Sequence, residues 1–136
     1  MATLKLQIVT PEAKVLEEDV DFVQLPGAEG EMGVYPQHET LITELIAGEL
    51  HIQKAGQVRI MAIGEGFAEI TPTGIGIITD GAVNEKEIDE QAAEAAVKRA
   101  EELLKNSSLQ GDELEATQAS LARSLAQLHL KRRRRG

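Results

Sequence analysis

The N-terminal part of the chain alternates between apolar and polar side chains with period two. Leu4, Leu6 and Ile8 form one set, followed by Val20 and Phe22, then Leu50 and Ile52. Val58, Ile60 and Ala62 form another, and Ile75 and Ile77 the last. Alternation of this kind lays one side of a strand against a core and leaves the other in water. Breakers separate the sets: Thr10-Pro11, Pro26-Gly27, Ala47-Gly48, Ala55-Gly56 and Pro72-Thr73-Gly74. Several short strands at roughly ten-residue spacing predict a mainly β domain over residues 1–84, an antiparallel β-sandwich.

After Val83 the period becomes helical. From Ile88 the segment IDEQAAEAAVKRAEELLK puts Ile88, Ala92, Ala95, Ala96 and Leu103 on one face. Asn106 to Gly111, NSSLQG, favours a turn, and Asp112 offers an N-cap with Glu115 in capping-box spacing. The second helix carries Leu114, Leu121 and Leu128 seven apart, with Leu125 beside them. Its basic end suits the negative pole of the helix dipole. Residues 85–136 are thus expected to form an α-helical hairpin behind the sandwich. Many of its contact positions are alanines. A buried methyl contributes about 0.8 kcal/mol, against about 1.5–3 kcal/mol for a buried Leu or Ile. Docking on the sandwich is expected to be worth only about a few kcal/mol, which leaves undocked states within reach of a partner.

Charge narrows the function classes. The chain has 23 acidic and 14 basic residues, a net of −9, and five of the basic ones run consecutively from Lys131 to Arg135. An acidic body with a basic tail lacks the broad basic face that nucleic-acid binding needs. Phe22, Tyr35 and Phe67 are the only aromatic residues, too few for a base-stacking platform. There is no cysteine, so thiolate chemistry is excluded. No apolar run is long enough to span a bilayer, and MATLKLQIVT does not read as a signal peptide, so a soluble intracellular protein is expected.

The segment LPGAEGEMGVYPQHETL, Leu25 to Leu41, concentrates glycines, carboxylates and a histidine in what reads as one loop. Gly27, Gly30 and Gly33 fit neither a dinucleotide fingerprint nor a P-loop, and Glu29 and Glu31 would repel phosphate. His38, with Glu31 and Glu39, lacks the further ligands of a catalytic zinc site, so no metal and no catalytic residue is assigned. The plainer reading of His38 is a histidine hydrogen-bonded within its own turn. The remaining reading is a rigid surface for a partner. Pro26 and Pro36 fix its ends, Met32, Val34 and Tyr35 offer apolar area, and Glu31 and His38 are polar handles at its edge.

That segment resembles the signature of the epsilon-subunit family of F-type ATP synthases, a proline-glycine turn followed by Glu-Gly-Glu-x-Gly and Pro-x-His. Pro26, Gly27, Glu29, Gly30, Glu31, Gly33, Pro36 and His38 match it. LQIVTPEAKV resembles the family's first strand and turn, and GEGFAEITPTGIGIITDGA its Gly-Phe-x-Glu hairpin, through Gly66, Phe67 and Glu69. The resemblance implies a non-enzymatic, cofactor-free rotor component, peripheral on the cytoplasmic face of a bacterial cell membrane. Its sandwich would bind the gamma subunit and the ring of c subunits, with Glu31, Met32, Gly33 and His38 at that junction. It would couple proton flow to ATP synthesis. Its hairpin would lie on the sandwich or extend along gamma to block ATP hydrolysis. In the extended state, Leu114, Leu121, Arg123, Leu125, Leu128, Lys131 and Arg132 are the candidate contacts, with the alpha and beta subunits as partners. A terminal basic block this dense departs from the family's last helix.

Some members bind ATP at the folded hairpin through Ile or Leu, Asp, two variable residues, Arg and Ala. Ile88, Asp89 and Ala93 match here, but Ala92 stands where the arginine belongs. Alanine cannot replace an arginine's fork of donors. Asp89 and Arg99 are the remaining candidates, and weak or absent ATP binding is expected. On residue chemistry alone two other classes stay open: a β-sandwich adaptor with a helical interaction hairpin, and a small hydrolase using carboxylates near His38.

Overall fold

The computed structural model describes residues 2–135. Ten strands come first: β1 (Leu4–Val9), β2 (Lys14–Val20), β3 (Phe22–Gly27), β4 (Gly30–Val34), β5 (Leu41–Leu45), β6 (Gly48–Lys54), β7 (Gln57–Ile63), β8 (Gly66–Thr71), β9 (Gly74–Thr79) and β10 (Ala82–Asn84). A single 3-10 turn, Glu85–Glu87, leads into α1 (Glu90–Asn106) and α2 (Gly111–Arg135). The strands follow one path, β10-β7-β6-β3-β5-β8-β9-β1-β2, with β4 beside β3. Between β3 and β5 the ladder narrows to the pair Gly27 and Leu45. There the path folds over, and side chains of both halves meet in one core that includes Leu4, Leu6, Val23, Leu50, Ile63 and Ile77.

The predicted antiparallel sandwich is what forms, apart from one pair. β1 runs parallel to β9, Leu6 opposite Ile75 and Ile8 opposite Ile77. Parallel neighbours need a long connection, and the strands β2 to β8 supply it.

β7 is covered on both sides. Met61 and Ile63 belong to the sandwich core, while Ile60 and Ala62 lie in a second cluster with Ile88, Val83 and Leu130. The alternating set Val58, Ile60 and Ala62 therefore marks the face beneath the helices, not the sandwich interior. Val58, at the strand's start, remains exposed.

α1 starts at Glu90, because Asp89 caps it by accepting a hydrogen bond from the Ala92 N–H at 3.1 Å. The helical phase counted from Ile88 is consequently wrong. Ala92 and Ala95 face water, and the buried stripe is Ala93, Val97 and Ala100, spaced i, i+4, i+7. Ala93 and Val97 pack with Leu128, and Leu121 and Leu125 lean on the same cluster. α2 begins at Gly111, whose φ of 59° is the left-handed region glycine tolerates, so Asp112 lies in the first turn instead of before it. α1 packs on α2, and α2 packs on β6, β7 and the 3-10 turn.

Candidate functional site

The segment expected to be a loop is largely a β-hairpin. β3 and β4 pair from Val23–Val34 to Gly27–Gly30 around a tight turn at Ala28 and Glu29. Of its glycines only Gly30 uses a positive φ, 131°. Gly27 and Gly33 are required by space. A Cβ on Gly27 would lie 2.7 Å from the Gly30 carbonyl oxygen, and one on Gly33 would lie 2.9 Å from the Phe22 ring.

Strand alternation sorts the expected contact residues. Val34 is fully buried in the sandwich core and Met32 packs against it, so the expectation that Val34 offers contact area is corrected. Glu31, Gly33 and Tyr35 point the other way. Glu31 accepts a hydrogen bond from Gln24 Nε2, and Tyr35 is 66% exposed, its ring 4.5 Å from that of Phe22. Beyond the strand, His38 Nδ1 donates to the Glu39 carbonyl oxygen at 2.7 Å. Among the described residues no group of three histidine and carboxylate side chains is gathered around one point.

A second surface lies on the outer face of the other layer. Phe67 and Ile78 are cross-strand partners, and they are 56% and 66% exposed; Ile42, on the neighbouring strand, is 67% exposed. Glu44 and Glu69 stand on the same face by register. Three large apolar side chains rimmed by carboxylates form a surface of the kind that partners cover. Neither Ile42 nor Ile78 belongs to the alternating sets of the sequence. Ile78 breaks phase with Ile75 and Ile77, and that was the available signal.

The hairpin is seated by one apolar anchor and a set of ion pairs. Leu130, fully buried, fills the second cluster. Above it the fit is loose: an open crevice of about 410 Å³ separates Ala122, Leu125 and Ala126 from the β5–β6 turn. Leu114, at the far end of α2, is only half-buried. Arg123 Nη1 meets Asp80 Oδ2 at 3.2 Å. Lys131 Nζ lies 3.7 Å from Glu85 Oε2 and donates to that residue's carbonyl oxygen at 3.3 Å. Arg134 Nε reaches Glu85 Oε1 at 3.3 Å. Arg133 grips Glu49 with two N–H groups, Nε at 3.2 Å and Nη2 at 2.5 Å. Arg132 instead pairs within the hairpin, with Glu90 at 3.2 Å and Glu94 at 2.7 Å.

Burial pushes the Glu49 carboxyl up, but hydrogen bonds from Arg133 and His51 outweigh it and hold the group below the ordinary carboxylate value. The tail, expected from sequence to suit the helix dipole and to meet other subunits, is ion-paired to its own chain from Lys131 to Arg134. Of the two ATP candidates, Asp89 is engaged as the helix cap and Arg99 lies exposed on α1.

The chain is thus a two-layered sandwich with an open apolar strip on one face and a thinly seated helical hairpin on the other. Residues 3–85 match the family "ATP synthase, Delta/Epsilon chain, beta-sandwich domain", and residues 86–131 match "ATP synthase, Delta/Epsilon chain, long alpha-helix domain". The ATP synthase epsilon chain of Syntrophobacter fumaroxidans is 44% identical over 127 residues, 92% of each chain. That of Dehalococcoides mccartyi is 39% identical over 99% of this chain and 96% of its own. A chain in the Euglena gracilis mitochondrial ATP synthase (OSCP/F1/c-ring, rotational state 1) superposes with a TM-score of 0.72 at 26% identity, over 93% of this chain and 79% of that one. A chain from the central stalk and c-ring of the Tetrahymena thermophila mitochondrial enzyme shares the fold, with a TM-score of 0.58 at 15% identity over 98% and 96%. The chain belongs to the ATP synthase delta/epsilon family, among its bacterial epsilon chains, which are non-catalytic subunits.

Proposed function

We propose that this chain is a central-stalk rotor subunit that couples proton translocation to ATP synthesis and restrains ATP hydrolysis through a mobile hairpin. The observation that carries the reading is the family match across both parts of the chain, residues 3–85 and 86–131. In this account residues 1–84 bind the gamma subunit and the c-subunit ring. Residues 85–136 form the regulatory arm, which meets the alpha and beta subunits when extended. Contact with the membrane is made through the complex at its cytoplasmic face. No helix among the described residues is long and apolar enough to cross a bilayer.

The exposed strip of Ile42, Phe67 and Ile78 supports a stalk-binding role for the sandwich. Glu31, Gly33, Tyr35 and His38 are assigned to the same junction with gamma and the ring. Two features support a releasable arm, the crevice under α2 and its reliance on one large anchor. The test is co-elution with purified gamma: a stable one-to-one complex is expected, and separate elution would overturn the reading.

ATP is not expected to serve as a ligand that holds the arm down. Asp89 already satisfies the helix N-terminus, and Ala92 supplies no donor fork. Titration calorimetry with micromolar ATP should give no saturable heat; a clear binding isotherm would contradict this.

A further inference from the structure

We propose that the basic face of α2 is an electrostatic latch, set on the chain's own acidic groups and loosened by ionic screening. Four cations bridge out of the hairpin. Arg123 reaches Asp80 at the β9–β10 turn, Arg133 reaches Glu49 on β6, and Lys131 and Arg134 converge on Glu85. Glu85 opens the 3-10 turn between the last strand and α1, so two of the cations clamp the hinge on which the hairpin would swing.

The Asp80 contact has its own logic. Its Oδ1 is buried without a hydrogen-bond partner, above Gly64, where a Cβ would collide with it. Arg123 supplies the compensating charge to Oδ2 and lies flat on Gly81, where a Cβ would sit 2.6 Å from Arg123 Cδ. An arginine leaving this place strands a half-buried carboxylate, which is the costly way to break an ion pair.

The remaining pairs are partly exposed, and each shifts the docking equilibrium by about two- to fivefold. They share one element, so they make and break together. Because these pairs lie near water, they are screened by salt, whereas the Leu130 anchor is not. Docking should therefore weaken as ionic strength rises. An anchor made only of apolar contacts would not respond in that way.

The inference rests on the rotor reading only for what the released arm then binds; the latch itself belongs to the isolated chain. The chain has no native cysteine, so dyes can be placed on Gln53→Cys in β6 and Gln118→Cys in α2, both exposed positions. The docked-to-undocked ratio is then read by energy transfer in the full-length protein. Raising NaCl from about 50 mM to about 500 mM shortens the Debye length severalfold and is expected to lower that ratio about tenfold.

The variant Asp80→Asn/Glu49→Gln/Glu85→Gln should be largely undocked at low salt and insensitive to further salt. Arg132→Gln, which removes a pair inside the hairpin, should keep the salt response of the parent. A far-ultraviolet melt checks that the sandwich stays folded. A docking ratio indifferent to salt, or a triple variant as docked as the parent, overturns the latch. Neither result bears on gamma binding, and failure to bind gamma would leave the latch standing.

Discussion

Leu130→Ala is expected to free the helical hairpin while the sandwich stays folded. Leu130 is fully buried, and its neighbours Ile60, Ala62, Val83 and Ile88 come from the sandwich and the hinge. Truncating such a leucine costs about 2–5 kcal/mol, in proportion to the cavity that fails to collapse. No other described side chain of α2 enters that cluster, so the rest of the hold comes from the ion pairs around it. A loss of even about 2 kcal/mol multiplies the undocked fraction about thirtyfold.

Amide exchange should show this as loss of protection across α1 and α2, with β1 to β9 unchanged. Leu128→Ala provides the contrast. Its side chain lies among Ala93 and Val97 of α1, so that substitution should separate the helices from each other. Full protection of both helices in Leu130→Ala would mean that docking does not depend on this anchor.

The second large effect concerns the opposite face. Phe67→Glu combined with Ile78→Glu should lower affinity for gamma by about thirtyfold or more. A central apolar anchor of an interface is worth about 2 kcal/mol or more, and burying a carboxylate there adds to the loss. Both side chains are more than half exposed in the isolated chain, and repulsion between the two glutamates and from the neighbouring Glu44 should cost about 1–2 kcal/mol and leave the sandwich folded. That combination separates a binding defect from a folding defect. Unchanged affinity would remove this face from the stalk contact and move it to the β3–β4 hairpin with Tyr35.

Much of the architecture could be read from periodicity, and the exceptions have physical causes. β1, β6 and β9 announce themselves because one face of each meets a single core, so that Leu4, Leu6 and Ile8 alternate cleanly with polar residues. β7 alternates too, through Val58, Ile60 and Ala62, but does not tell which face is the sandwich interior, because it is covered on both faces and its run Ile60, Met61, Ala62, Ile63 belongs to two clusters at once. β4 was hidden by its glycines. Gly30 turns the chain and Gly33 makes room for Phe22, and both mimic the composition of a loop. In α1 a single capping residue, Asp89, displaced the helical phase by one position and so moved the buried stripe from Ala92 and Ala96 to Ala93 and Val97.

The surfaces were less legible. Period two correctly implies that Met32 and Val34 cannot both face a partner with Tyr35, but only once β4 is recognised as a strand. The ion pairs of the basic tail join residues far apart in sequence, such as Arg133 and Glu49, and no local pattern encodes them. Composition could not say which acids would receive the cations.

The most direct test of the whole account is the distance between β6 and α2 measured in the assembled ATP synthase instead of in the free chain. With the sandwich held on the shaft and the arm free to swing, two populations are expected. A short distance should match the docked hairpin, and a longer one should grow when hydrolysis is inhibited. A single short distance in active and inhibited enzyme alike would contradict the claim that this hairpin is the moving part.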